Sequence, residues 1–301
     1  MSDGKILALE EHGYLFRFKS ITSRANGQVD MDGDHKADLG YYRPGGSFEY
    51  LKSTYGYSSH HPQNPVGRIM MENYRGLNRS ELAWWTPSTP QSCFFGFHNY
   101  TAIDTCYPWG IPGDIPVGGD FDADGKTEIA IFRQGKWAMQ QTGTLTYRAI
   151  YWGMAGDKPV PADYDGDGTT DAAVYRPSDG TWHVLRSTDG GAYQIQWGLD
   201  TDKPVPADYD GDGRADLAVY RAGTGTWYIL KSGGEGYTAV RFGKGSDLPV
   251  PGDYDGDGLT DIALFRPSDG NWYQLRSRDG FTVVHFGQAG DIPFRSVYSA
   301  D

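Results

Sequence analysis

Short apolar runs of about five residues recur along the chain, separated by clusters of Gly, Pro, Asp and Ser. Within each stretch of about 45 residues the same four runs return. The first is a Pro-Val run. The second follows an acidic loop, as at Ala172 to Arg176. The third carries an aromatic, such as Trp182 or Trp227, and the fourth ends in Trp-Gly or Phe-Gly, as at Phe242-Gly243. The turns between the second and third runs read S-D-G or G-T-G, which is hairpin chemistry. The pattern predicts four short antiparallel strands per unit. No apolar run approaches the ~18 residues that a membrane-spanning helix needs.

Three units align directly: 158–198, 203–243 and 248–287. A fourth spans 115–153. Their acidic loops begin at Asp120, Asp163, Asp208 and Asp253. An earlier copy, 28–57, has its loop at Asp30, two periods before Asp120. The gap is filled by a degenerate unit, 65–110, in which NYRGLNRSELAWWTPS (73–88) lines up with DYDGDGTTDAAVYRPS (163–178). Pro65-Val66 is read as its start and Trp109-Gly110 as its end. The tail 291–301 matches the start of a unit and the head 1–20 its middle, in phase when the termini are joined. That gives seven units, one of them split. The expected fold is therefore all-β, a single domain over 1–301: a seven-bladed β-propeller of four-stranded antiparallel blades, one blade closed from both termini. A linear solenoid would need capping units at its ends, and the in-phase split unit argues for closure instead.

The Phe-Gly ending, the Pro-containing start and the D-x-D-x-D-G-x-x-D loop resemble the FG-GAP/VCBS repeats of integrin α-chain propellers, propeller lectins and bacterial surface proteins. The resemblance covers nearly the whole chain. It implies a propeller and leaves the activity open, because one fold hosts many functions.

Oxygen donors at alternate positions suit a hard cation that takes 6–8 oxygens. In the loop at Asp163 the expected ligands are Asp163, Asp165, Asp167, the carbonyl of Thr169, and Asp171. The other loops offer Asp30, Asp32, Asp34 and Asp38; Asp120, Asp122, Asp124 and Glu128; Asp208, Asp210, Asp212, the Arg214 carbonyl and Asp216; and Asp253, Asp255, Asp257, the Leu259 carbonyl and Asp261. The integrin-type loop is the better match than an EF-hand, whose helices and terminal Glu are absent. Solvated Asp-Gly turns are the bland alternative, which five copies in register disfavour. Five structural Ca²⁺ ions are expected, and they would bring the formal net charge of −12 to about −2. His35 replaces the second loop Gly in the first copy, a source of strain. Asn73, Arg75, Leu77 and Glu81 replace ligands in the degenerate unit, where Arg75 is expected to pair with Glu81. Val297 and Ser299 replace them in the split unit, with Asp301 and Asp3 nearby.

Other recurring residues read as structure. Arg43, Arg133, Arg176, Arg221 and Arg266 follow the second strand and are expected to stack on an aromatic or pair with loop acids, with sugar binding as the alternative. Phe48, Trp137, Trp182, Trp227 and Trp272 are expected between blades. Cys93 and Cys106 are read as a disulfide, with buried free thiols as the alternative. Asn78-Arg79-Ser80 and Asn99-Tyr100-Thr101 are glycosylation sequons. The non-repeated part of the ring offers Tyr57, His60, His61, Tyr74, Arg75, Trp84 and Trp85 as candidate ligand-binding residues, with Arg68 beside them. The aromatic content of 14% excludes a disordered chain. No basic patch points to nucleic acid. The N-terminus has no basic region followed by an apolar stretch and so does not read as a signal peptide.

The functional expectation is a calcium-stabilised module that is secreted or at the cell surface, a monomeric ring that binds glycan as a lectin or adhesin. The alternatives are a polysaccharide lyase, with His60, His61, Tyr74 and Arg75 as the residue types available for a base and a uronate clamp, and a scaffold for a surface protein.

Overall fold

The computed structural model describes residues 29–294 apart from 45–46, 61–67, 75, 78, 88–91, 99–100, 142–145 and 235. The described strands form six four-stranded antiparallel sheets. Blade I joins Ile292–Pro293, Leu39–Arg43, Ser47–Lys52 and Gly56–His60. Blade II is built from Arg68–Glu72, Glu81–Thr86, Cys93–His98 and Thr101–Pro108. Blade III has Ile115–Val117, Ile129–Arg133, Lys136–Gln140 and Tyr147–Tyr151. Blade IV runs Lys158–Pro159, Ala172–Arg176, Thr181–Leu185 and Ala192–Gln196. Blade V holds Lys203–Pro204, Leu217–Arg221, Thr226–Leu230 and Tyr237–Arg241. Blade VI consists of Leu248–Pro249, Ile262–Arg266, Asn271–Arg276 and Gly280–His285.

One backbone hydrogen bond joins each blade to the next, always at the same place. The carbonyl of the first loop residue accepts an N–H from just before the last loop acid of the following blade. Asp30 accepts from Ser80, Asn73 from Thr127, Asp120 from Thr170, Asp163 from Ala215 and Asp208 from Thr260. Asp253 of blade VI then accepts from Ala37 of blade I at 2.6 Å. The sixth bond closes the ring, so no blade stands between VI and I.

The ring is thus an all-β propeller of four-stranded blades, with six of them among the described residues rather than seven. The miscount has a physical source. The unit beginning at Asp30 has no Pro-Val run of its own in front of the loop. Its sheet would have three strands and one bare edge, and unpaired edges are costly. The tail Ile292–Pro293 supplies the missing strand by pairing with Tyr41 and Tyr42. Closure through the C-terminal strand holds, but the tail completes blade I instead of founding a separate blade with the head. The head lies outside the described residues. So does Pro65-Val66; the first strand of blade II begins at Arg68.

Burial changes from strand to strand. Ala172 to Tyr175 are all buried, Thr181–Leu185 alternates, and Ala192–Gln196 is mostly exposed. The second strand is therefore covered on both faces and the fourth faces solvent. Trp137, Trp182, Trp227 and Trp272 are fully buried, as is Phe48. Each indole donates to the carbonyl of the aromatic that precedes the closing Gly: Trp182 to Trp197, for example, at 2.8 Å. That bond satisfies the one polar atom a buried Trp carries. The glycines of the hairpin are required there: at Gly180, φ is 68° and a Cβ would lie 2.2 Å from the Gly198 carbonyl oxygen. In blade II the same bond comes from a different strand, Trp85 donating to Trp109.

The recurring arginines are structural, but their partners are not the loop acids. Each grips, with two guanidinium nitrogens, a buried Asp just before the first strand: Arg43 with Asp291, Arg133 with Asp114, Arg176 with Asp157, Arg221 with Asp202 and Arg266 with Asp247. Arg43, Arg221 and Arg266 also lie over the rings of Tyr41, Tyr228 and Tyr273. Each clamp ties the second strand to the turn that enters its blade.

Candidate metal centres

Each acidic loop is shaped by its own carboxylates. In blade IV the oxygens of Asp163 accept N–H bonds from Gly166 and Gly168, the turn-forming glycines at φ 82° and 89°. The same capping recurs at Asp30, Asp208 and Asp253. Two loops place a side chain where L residues are strained: His35 at φ 69°, as the sequence suggested, and Ala123 at φ 62°, which that reading passed over.

The loops converge their acids. Carboxylate oxygens lie within 4.8 Å of one another in five sets: Asp30, Asp32 and Asp38; Asp120, Asp122, Asp124 and Glu128; Asp163, Asp165 and Asp171; Asp208, Asp210 and Asp216; Asp253, Asp255 and Asp261. The third acid is absent from four of the five. Asp34, Asp167, Asp212 and Asp257 turn to the hairpin between the third and fourth strands, where Ser53, Ser187, Ser232 and Ser277 donate hydroxyls to them. The backbone N–H groups of Thr169, Arg214 and Leu259 hold the other oxygen of that acid.

These serines were missed in the sequence, although a signal was there. The residues before them read Leu51-Lys52, Leu185-Arg186, Leu230-Lys231 and Leu275-Arg276, a repeat as regular as the loop itself. Their backbone N–H groups also cap the last acid of each loop, Asp38, Asp171, Asp216 and Asp261.

The converged acids suit a hard cation. Their donors are all oxygen, and three buried carboxylate oxygens have no hydrogen-bond partner, one each on Asp32, Glu128 and Asp255. A buried unpaired acceptor costs stability that a bound cation would remove. Burial pushes the carboxyls of Asp38, Asp171, Asp216 and Asp261 up to about 6, and that of Glu128 up to about 8, against backbone hydrogen bonds that lower them. In the blade III loop Lys126 pairs with Asp124 at 3.6 Å rather than with Glu128.

Blade II keeps the loop shape without the charge. Asn73 accepts an N–H from Leu77 and donates to the Gly125 carbonyl of blade III. Arg75 lies outside the described residues, and with it the expected ion pair to Glu81. Glu81 is buried.

The ligand-binding candidates do not form one surface. Trp84 and Trp85 are buried in the core, so neither ring face is open to a ligand. Tyr74 packs against the cluster around Trp137, its hydroxyl toward the Met70 sulfur. Burial raises that phenol well above its ordinary value, which removes it as a base. Tyr57 is exposed and donates to Glu49. His60 ends the last strand of blade I, and His61 lies outside the described residues. Cys93 lies opposite Pro108, two residues from Cys106 on the neighbouring strand.

Exposed aromatics occupy one register position, of which the sequence reading had singled out Tyr57 alone. Tyr57, Tyr147, Tyr237 and Phe281 begin or nearly begin the outer strand, and each is more than half exposed. Each meets the Trp or Phe that ends the preceding blade: Tyr147 with Trp109, Tyr237 with Trp197, Phe281 with Phe242 and Tyr57 with Phe286, with centroids 5.3 to 6.3 Å apart. Lys136 lies over Tyr147 and Tyr151. At the seam of blades III and IV the position holds Ala192.

A closed ring of four-stranded blades with cation-type loops defines a β-propeller of the repeat-loop kind. Residues 163–219 and 208–264 match the family model of the FG-GAP-like repeat, so this stretch of the β-propeller carries FG-GAP-like repeats. No curated protein matches it. Among solved structures it is similar to an Agrocybe aegerita lectin described as recognising non-reducing terminal N-acetylglucosamine, at 12% identity, TM-score 0.52, over 89% of this chain and 92% of the other. It is also similar to a streptogramin B lyase, at 10% identity, TM-score 0.53, over 89% and 85%. At such identities the likeness is one of fold.

Proposed function

We propose that this propeller is an extracellular binding module whose ring is stapled by about five structural Ca²⁺ ions, and that it recognises carbohydrate at its blade seams, as a lectin or adhesin. The observation that carries the carbohydrate reading is the aromatic shelf. Four seams present a solvent-facing ring at one register position, backed by a second ring. Leaving such a side chain in water forgoes roughly 1.5–3 kcal/mol of burial each. Sugar rings offer an apolar C–H face that packs on an aromatic, while their hydroxyls stay in water. Four equivalent shelves around one ring favour a branched or repeating glycan through avidity.

A glycan array probed in Ca²⁺ tests this. Binding is expected for the wild-type ring and at least tenfold weaker for the Tyr237→Ala, Phe281→Ala double variant. A blank result across a broad panel would reject the carbohydrate reading and leave a protein partner.

A further inference from the structure

We propose that the loop of blade III, Asp120 to Glu128, is the site in the ring that depends on its cation and fills first. This rests on reading the loops as divalent-cation sites. In blade IV both oxygens of the last loop acid, Asp171, are already held by backbone N–H groups, from Tyr164 and Ser187. Blades I, V and VI repeat that arrangement. Blade III does not. Glu128 is fully buried, its Oε2 accepts from Phe121 at 2.6 Å, and its Oε1 has no partner. On the hairpin side Gln141, which stands at the position of Arg186 and Lys231, donates to Asp122.

The third acid differs too. Asp124 stays with the cluster, its outer oxygen 3.6 Å from Lys126, so among the described residues four carboxylates converge here and three in each of the other sets. A buried acceptor without a partner is costly, and more so when charged. Mutual repulsion adds to that cost. A divalent cation removes both together in blade III. In blades IV and V it meets carboxylates that already have their hydrogen bonds. Blades I and VI fall between, with one unpartnered oxygen each on Asp32 and Asp255, and Arg278 comes within 4.0 Å of Asp255.

The consequence reaches blade II. Asn73 donates to the Gly125 carbonyl at 3.2 Å and accepts from the Thr127 N–H at 2.8 Å, so the loop that has lost its aspartates leans on the acidic one. Filling blade III therefore orders the seam with blade II as well.

The test is a calorimetric Ca²⁺ titration of the cation-stripped full chain, for wild type, Glu128→Gln and Asp171→Asn. Wild type is expected to show one site about tenfold or more tighter than the rest, as ligand charge count dictates. Glu128→Gln is expected to lose that phase and Asp171→Asn to keep it. In parallel, hydrogen exchange of wild type at one equivalent of Ca²⁺ should show protection first at residues 119–129 and 73–77, a readout that stands even where a variant fails to fold. Five equal sites, or protection appearing first in another loop, would overturn the proposal and leave the calcium reading intact. No binding by wild type at millimolar Ca²⁺ would overturn the calcium reading itself.

Discussion

The ring of Phe294 occupies the space that a side chain on Gly40 would need: a Cβ there would sit 2.2 Å from the Phe294 Cδ2. The two are also joined by a backbone bond, Phe294 N–H to Gly40 carbonyl, at 2.7 Å. The equivalent bonds in blades IV, V and VI run from Val160 to Ala173, Val205 to Ala218 and Val250 to Ala263. In blades III to VI the pair is Val and Ala, in blade II Met and Ala; where the ring closes it is Phe and Gly. Phe294 packs with Phe48, Met71 and Leu82. The missing side chain of Gly40 makes room for the Phe294 ring.

Gly40→Ala is therefore expected to destabilise the ring by roughly 1–3 kcal/mol through overpacking, read as a fall in Tm. Phe294→Ala should cost roughly 3–5 kcal/mol by leaving a cavity. The double variant Gly40→Ala, Phe294→Val restores the pair used in blades III to VI and should recover most of the loss in the first variant. A double variant no more stable than Gly40→Ala alone would show that the two residues do not act as a pair.

The arginine clamps make a second prediction. Asp157 and Asp202 are buried, and each has a bidentate Arg as its counter-charge. Arg176→Met strands the Asp157 carboxylate in the protein, at a cost of roughly 3–5 kcal/mol. Adding Asp157→Asn should return much of that loss, because the stranded charge goes. Melting curves of the two variants and wild type decide it, and equal loss in the single and double variants would contradict it.

The repeat, the acidic loops and the buried aromatics were legible in the sequence because each recurs at a fixed period. Asp163, Trp182 and Arg176 have counterparts 45 residues on, and repetition itself marks them as parts of a blade. What was not legible depended on contacts between distant residues. The blade count turned on whether Ile292–Pro293 pairs with Leu39–Arg43, a partner some 250 residues away, and phase alone fits either answer. Trp84 and Trp85 drew attention by breaking the repeat, yet Trp85 replaces a core indole from another strand. Asp167 was read as a ligand because alternation aims it inward; the hydroxyl of Ser187, 20 residues on, draws it away.

Cys93 and Cys106 sit on neighbouring strands of blade II, which shows no acidic set among the described residues and where a covalent link would stand in for a metal. Non-reducing peptide mapping is expected to find them joined. Cys93→Ser and the double variant with Cys106→Ser should fall in stability by the same amount, roughly 2–4 kcal/mol. Free thiols in the folded, unreduced protein would refute the link.

The buried loop acids set the pH response of the cation-free ring. Their folded carboxyls titrate at about 6, and Glu128 at about 8, above the ordinary range of an unfolded chain. The folded state therefore holds more protons than the unfolded state between roughly pH 4 and 8. The stability this contributes is full below the unfolded values and is lost as pH rises through 6 and then 8. Stripped of divalent ions, the protein should melt highest near pH 5 and progressively lower toward pH 8. Calcium reverses the trend: it binds the ionised acids and competes with their protons, so its stabilising effect should be large at pH 8 and small below pH 6. Melting across pH 5–8 in EDTA and in millimolar Ca²⁺ gives both curves. Two curves that coincide at pH 8 would refute a cation in these loops, and an EDTA curve that rises with pH would refute the placement of the buried protons.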